Sequence, residues 1–375
     1  MKVYQKKIND VTDLEHFNPE FEPTIFFLFM SSTYKERDAF LKALAKKFPH
    51  VLVFGCSAGG EIVNNQVFDN IVALTAVLFE KTTLALKKIS LKDYDSYHAG
   101  TELYAQLENE KEDLKHILVL SDGLNITGSE LVRGLSENKS KNVSITGGLA
   151  ADQYQFKETF LIYDNQITSN CVIAVGLYSK DLKIGYGSEA GWDLFGMERI
   201  VTKSKDNTLY ELDGKPALEV YRYFLGDKAA DLPASGLHFP LGMRNENGKL
   251  PIIRSVFDIN EEEQSITVAG NIEEGSSIHL MKANIDRLID AAEKSAITSK
   301  QILETNSQLT FLISCVGRKV VLKQLVEEEV EAAVNILGEK ANATGFYSYG
   351  EIAPFNEHST CELHNQTMTI TTFSE

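Results

Sequence analysis

The sequence predicts a mixed α/β protein, with mixed sheets and helices arranged as two related domains built on repeated βαβ-glycine units. Three observations predict it. Three stretches follow one order of strand, helix, strand and glycine. Two of them end in sequences that align. Between them run further alternating or apolar segments that read as strands rather than helices.

The first unit opens with the apolar run Thr24 to Met30, closed by Ser31-Ser32, which reads as a buried strand. Phe40, Leu41, Leu44, Ala45 and Phe48 recur at helical spacing between Lys35 and Phe48, and Pro49 ends that helix. Val51 to Gly55 is the second strand. In the second unit the strand His116 to Leu120 ends in Ser121-Asp122-Gly123. A helix over Ser129 to Ser136 and the segment Val143 to Gly148 complete it. The third unit has the strand Leu309 to Cys315 and a helix carrying Val326, Val330, Ala333, Val334 and Leu337 on one face. Glu327, Glu328 and Glu329 in its first turn suit the helix dipole, and Gly338 stops it.

A strand, a helix and a second strand of this length form a parallel crossover. Gly55-Cys56-Ser57-Ala58-Gly59-Gly60-Glu61-Ile62 aligns with Gly345-Phe346-Tyr347-Ser348-Tyr349-Gly350-Glu351-Ile352, with four identities at fixed spacing. This points to internal duplication. Between units, Ile71 to Phe79 and Thr83 to Leu91 read as strands. Thr159 to Tyr163 and Ile167 to Leu177 read as a hairpin across Asp164-Asn165. Gly185, Gly187, Gly191 and Gly196 around Trp192 read as a loop. Pro216 to Phe224 and Ala283 to Ser299 read as helices, Ile252 to Phe257 and Ser265 to Val268 as strands, and Met368 to Phe373 as a closing strand. The boundary is expected at Leu212-Asp213-Gly214, giving domains over 24–212 and 213–375.

Composition excludes some functions. The chain has 375 residues, with 37 Lys+Arg against 53 Asp+Glu and a net charge of −16. Such a balance opposes nucleic-acid binding and gives no attraction to anionic membranes. The longest apolar run, Ile25 to Met30, is too short to span a bilayer. Cys56, Cys171, Cys315 and Cys361 are scattered, no CxxC occurs, and the Met1 end lacks a signal-peptide pattern, so a cytoplasmic protein with reduced thiols is expected.

Ligands of α/β proteins bind beyond the carboxyl ends of parallel strands. Those ends carry Ser121, Asp122 and Arg318, and the second strands run into glycine turns holding Ser57, Gly59, Gly60 and Glu61, and Tyr347, Tyr349 and Glu351. Glycine turns present free N–H groups. Arg318 suits a carboxylate clamp, Ser57, Ser121 and Tyr347 suit hydrogen bonding, and Glu61 or Glu351 suits an amine. Gly55-Cys56-Ser57-Ala58-Gly59 matches the G-x-S-x-G nucleophile elbow, yet no helical face follows it and Tyr347 stands at the equivalent position in the third unit. A hydrolase using Ser57 or Cys56 is therefore an alternative, and an acidic protein-binding scaffold is another. His358, Cys361 and His364 are three clustered metal donors without a fourth, so no metal and no cofactor are expected.

The stretches Gly55 to Ile62 and Gly147-Gly148-Leu149-Ala150-Ala151-Asp152 resemble the amino-terminal FIST domain. Leu212 to Tyr221 resembles the start of its carboxy-terminal partner. Gly317-Arg318, Gly345 to Phe355 and Leu363 to Met368 resemble its end. The resemblance covers nearly the whole chain. It implies a sensory, signal-transduction module that binds small ligands such as amino acids and sits, in other proteins, beside kinases, chemotaxis receptors or an F-box. With about two dozen residues ahead of the first unit, a protein signalling to a separate partner is expected. The family supplies no settled catalytic residues.

Overall fold

The computed structural model describes residues 1–244, 251–357 and 359–375. The first unit comprises β1 (Lys2–Ile8), β2 (Ile25–Ser31), α1 (Arg37–Lys47), β3 (Leu52–Ala58), the hairpin β4 (Glu61–Val63) and β5 (Gln66–Phe68), and β6 (Val72–Leu78). The second comprises β7 (Thr83–Ser90), α2 (Ser96–Glu108), β8 (Leu114–Ser121), α3 (Gly128–Glu137), β9 (Ser144–Leu149), the hairpin β10 (Leu161–Tyr163) and β11 (Gln166–Thr168), and β12 (Cys171–Tyr178). The third opens with β13 (Lys183–Glu189) and is then interrupted. The insertion holds β14 (Asp193–Lys205), β15 (Thr208–Leu212), β16 (Lys215–Pro216), α4 (Ala217–Leu225), β17 (Leu241–Arg244), β18 (Pro251–Arg254), β19 (Val256–Asn260), β20 (Ser265–Val268) and β21 (Ser277–Lys282). The unit resumes with α5 (Ile285–Leu303), β22 (Leu309–Cys315), α6 (Val316–Leu322), α7 (Val326–Leu337), β23 (Ala343–Ser348), the hairpin β24 (Glu351–Pro354) and β25 (Cys361–His364), and β26 (Met368–Ser374).

Local chemistry explains these elements. Every residue of β2 is buried, because both faces of a central strand are covered, so its sequence is a continuous apolar run. Asp95 caps α2 by accepting from the His98 N–H, and Asn284 caps α5 by accepting from the Arg287 N–H. The predicted helix over Val326 to Leu337 is α7, and Gly338 ends it with φ 90°.

Each unit builds a six-stranded sheet, and the three share one order: β1-β6-β2-β3-β10-β11, β7-β12-β8-β9-β24-β25 and β13-β26-β22-β23-β4-β5. In each the central pair is parallel: β2 with β3, β8 with β9, β22 with β23. In each the last two strands are a hairpin donated by another unit. The first unit completes the third sheet, the third completes the second, and the second completes the first. The exchange closes into a ring. It crosses the expected boundary near residue 213 repeatedly, since β4 and β9 pair with β23 and β24.

The sheets turn their inner faces on one another. Phe27, Phe29, Leu118, Ile173, Phe311 and Phe346 belong to one central core. Phe29 stacks on Phe346 with centroids 4.7 Å apart, and Phe27 meets Phe311 edge-on at 4.8 Å. Buried aromatics of this kind each contribute about 2–3 kcal/mol. Helices cover the outer faces. The inserted strands form an eight-stranded sheet with a core of its own, in which α4 places Leu218 and Tyr221 against Leu209 and Ile266.

Two expectations are corrected. The segment Ile167 to Leu177 is not one strand. It breaks at Asn170, which takes φ 52°, so 166–168 stays with the first sheet and 171–178 runs in the second. The glycine-rich stretch is a loop only at residues 190–192, around Gly191 and Trp192; Gly185 and Gly187 lie in β13 and Gly196 in β14. Its glycines admit α5: a Cβ on Gly185 or Gly187 would lie 2.0 Å from the Ser299 oxygen or 2.3 Å from the Ser295 oxygen.

Candidate functional site

The parallel pairs end in turns that bind one another. The Ala151 N–H donates to the Ser57 carbonyl at 3.0 Å, the Gly59 N–H to the Tyr347 carbonyl at 2.7 Å, and the Tyr349 N–H to the Leu149 carbonyl at 3.2 Å. Those three bonds link unit one to two, one to three, and three to two. The sequence-predicted turns therefore meet at one end of the ring.

Beside this junction lies a cavity of about 310 Å³, at the small end of the range for ligand sites. One wall is the ring: Gly123 after β8, Gly128 at the start of α3, Cys315 and Gly317 at the start of α6, and Tyr349 in the third turn. The inserted sheet supplies the other wall through Asp206, Ser255, Phe257 and Asn271. Gly317 packs closely on Gln366: a Cβ would fall 2.6 Å from that side chain's nitrogen, so the amide would have to move. The two walls are tied by Arg254, whose Nη1 donates to the Leu363 carbonyl at 3.1 Å, and by Asn271, whose N–H donates to Ser129 Oγ at 3.2 Å and whose Nδ2 donates to Glu130 Oε1 at 2.9 Å.

Two amide oxygens of the lining residues are left over. Asn365 is 1% exposed, lines the wall, and its Oδ1 has no partner. Asn271 Oδ1 is likewise buried and unpaired. A buried amide oxygen without a partner costs about 1–3 kcal/mol.

Of the ten expected residues, Tyr349 lines this cavity. It stacks on Phe156 with centroids 4.7 Å apart, and its hydroxyl donates to Asp152. Gly59 lines a second, more open depression of about 500 Å³, together with Lys319. Gly60 touches the same lysine: a Cβ there would meet Nζ at 2.6 Å. Lys319 is held by Asp69 and the Gly59 carbonyl.

The other expected residues build the frame. Ser57 is buried and its Oγ accepts from the Phe160 N–H at 3.1 Å. Ser121 is buried, with an unpaired hydroxyl. Asp122 organises the loop after β8, accepting from the Leu124, Asn125 and Asn170 N–H groups at 2.8, 3.0 and 2.9 Å. The carboxylate that Arg318 clamps is the protein's own Glu329: Nε and Nη2 reach Oε2 at 2.9 and 2.7 Å. The remaining donors go to the Ala190 and Leu288 carbonyls, both at 2.7 Å, and more weakly to Gln366. Tyr347 donates to the same Glu329 at 2.7 Å. Glu329 thus serves as a buried counter-ion rather than as a solvated dipole partner. Glu61 and Glu351 are both fully buried. Burial pushes the Glu61 carboxyl well up, and pushes Glu351 to about 8 although Ser348 and Thr367 donate to it.

Neither elbow residue is set up as a nucleophile. Cys56 is fully buried and burial raises its thiol pKa well above the ordinary value. The turn after Ser57 leads into the hairpin β4–β5, not into a helix. His358 lies outside the described residues. Cys361 donates to the Ile145 carbonyl and His364 contacts the Ala353 carbonyl at 2.8 Å, and no metal-binding cluster occurs among the described residues.

Sequence reasoning missed Asn365, Asn271, Phe156, Phe257 and Asp206. Two consecutive amides, Asn365-Gln366, between two strands were the available signal. The rest come from the inserted sheet or a loop, where periodicity carries no information about a distant wall.

Residues 24–215 match the FIST N domain and residues 217–354 match the FIST C domain. An uncharacterized protein of Methanocaldococcus jannaschii is 24% identical over 340 residues, which is 80% of this chain and 64% of that protein. The chain therefore spans less than two thirds of that relative's length. Two solved structures align over nearly the whole chain at low similarity. A chorismatase has 7% identity and a TM-score of 0.38, covering 99% of this chain and 98% of that one. A cyanuric acid hydrolase from A. caulinodans has 7% identity and a TM-score of 0.38, covering 100% and 99%.

Proposed function

The chain belongs to the FIST family, whose domains are sensory and signal-transduction modules, and from that premise we propose that it senses a small ligand held between the ring of three sheets and the inserted sheet. The observation that carries this reading is the cavity itself, lined by Tyr349 and Asn365 of the ring and by Phe257 and Asn271 of the inserted sheet. A wall that mixes aromatic rings with amides buries the apolar body of a small ligand and orients its polar groups. Amino acids are the first class to test, and the signal passes to a separate partner in the cytoplasm. The position supports this output. An occupant touches both walls at once, so it stabilises one placement of the inserted sheet over others. Four unpaired, buried cysteines support a reducing compartment, and no helix among the described residues is long and apolar enough to cross a membrane.

The test is a thermal-shift screen of the amino acids followed by calorimetric titration, on the parent protein and on Phe257→Ala and Asn365→Ala. A ligand at a hundred times its Kd raises stability by about 2.7 kcal/mol. A shift that both variants reduce supports the site. A shift that both variants retain overturns it, and so does silence from the amino acids together with the amines of the same skeletons.

A further inference from the structure

The walls of the cavity carry a consistent electrostatic character. Among the described residues no Lys, Arg or His lines it. The charged group on the wall is Asp206, exposed in the turn between β14 and β15. Asn271 turns its Nδ2 to Glu130 and so offers no free donor from that group.

Four aromatic rings line the same cavity: Tyr154, Phe156, Tyr349 and Phe257. Tyr154 meets Phe156 edge-on at 4.8 Å, and Phe156 stacks on Tyr349. The Tyr349 hydroxyl donates to the Asp152 carboxylate, which makes its ring more electron-rich. Ring faces attract cations, and clusters of them recognise ammonium groups. The nearby positive groups are turned elsewhere. Arg254 sits behind Gly270 with its donors on the Asn271, Ile253 and Leu363 carbonyls. Lys319 faces the second depression, bound to Asp69. The amino end of α3 reaches the cavity, but Glu130 in its first turn offsets that dipole.

We infer that the ligand is an organic amine, an ammonium group on an apolar body, rather than a carboxylate. The aromatic rings and Asp206 receive the charge, and the apolar remainder lies along Ile126, Leu149 and Val316. This rests on the cavity being the ligand site, and it goes further by fixing the ligand's charge. An amino acid brings a carboxylate that finds no cation on the wall, and the corresponding amine does not.

The experiment compares three compounds of one skeleton by thermal shift and calorimetry on the full-length protein: phenylalanine, phenethylamine, which lacks the carboxylate, and 3-phenylpropionate, which lacks the ammonium. Leucine, isopentylamine and 4-methylpentanoate form a smaller second set. The amines are expected to bind at least tenfold more tightly than their amino acids, with no shift from the acids. Asp206→Asn and Phe257→Ala are each expected to weaken amine binding severalfold without lowering the Tm of the free protein. Acids or amino acids that bind as well as the amines, and lose affinity in Phe257→Ala, overturn the charge assignment while leaving the cavity as the site. No binding by any member of either set overturns the inference, and with a silent amino-acid panel it removes the site as well.

Discussion

Arg318 and Glu329 form an ion pair at 2.7 Å in which neither side chain is exposed. Glu329 also accepts from Ser314 Oγ at 3.1 Å and from the Tyr347 hydroxyl, while Arg318 holds the carbonyls of Ala190 and Leu288. One pair thus ties α6, α7, β22, β23, α5 and the segment leading into the inserted sheet.

Removing one partner leaves the other charged and buried. Arg318→Ala is expected to destabilise the protein by about 3–5 kcal/mol in urea unfolding, and Glu329→Gln by a comparable amount. The paired change Arg318→Met with Glu329→Leu should lose less than either single change. Equal losses in all three would mean the pair's charges do not govern the cost.

The glycines Gly55, Gly147 and Gly345 stand at matching places in the three sheets. Each lies beside the residue it pairs with on the parallel neighbour, and a Cβ would fall 1.9, 1.8 and 1.8 Å from the Leu28, Val119 and Leu312 carbonyl oxygens. Gly345→Ala must force β22 and β23 away from each other and is expected to give unfolded or insoluble protein. Gly275→Ala has nothing within 4 Å and bears only the strain of φ 83°, about 1–2 kcal/mol. Soluble expression and Tm of the two variants decide it; a Gly345→Ala protein as stable as Gly275→Ala contradicts the packing argument.

Glu351 gives stability a pH dependence. Its folded pKa is raised by burial to about 8 from the ordinary 4.5. Below pH 4.5 both folded and unfolded chains hold the proton. Between there and about pH 8 the folded chain keeps a proton that the unfolded chain has released, so this group's contribution declines as pH rises and levels off above 8. Glu351→Gln removes the decline. The Tm of the variant relative to the parent should climb steadily from pH 5 to pH 8; parallel curves would refute it.

The exchanged hairpins make the two family-matched halves dependent on one another. Without β24 the edge of β9 is bare, and without β4 so is that of β23. Bare strand edges aggregate. Residues 1–215 and 216–375 expressed separately are expected to be insoluble, and co-expressed they should associate and recover the parent circular dichroism. Two separately folded, monomeric halves would contradict this.

The four thiols are each 4% exposed or less. A thiol reagent such as Ellman's is expected to label none within minutes in native buffer and all four after denaturation. Rapid native labelling at Cys56 would revive a nucleophilic role.

The sequence by itself determined the elements and the repeat. Apolar runs bounded by turns gave β2, β8 and β22, helical spacing gave α1 and α7, and the aligned glycine turns marked equivalent positions in the first and third units. These signals are local, so they are written in consecutive residues. Tertiary structure alone decided what those residues do. Burial turned Arg318 from an open clamp into half of an ion pair, because Glu329 arrives from the next helix. Hairpin exchange joined three units into a ring, because strand pairing partners lie up to hundreds of residues apart. The cavity exists because an inserted sheet meets the junction of the turns, bringing Asp206, Phe257 and Asn271 to face Tyr349 and Asn365. No local pattern encodes that meeting.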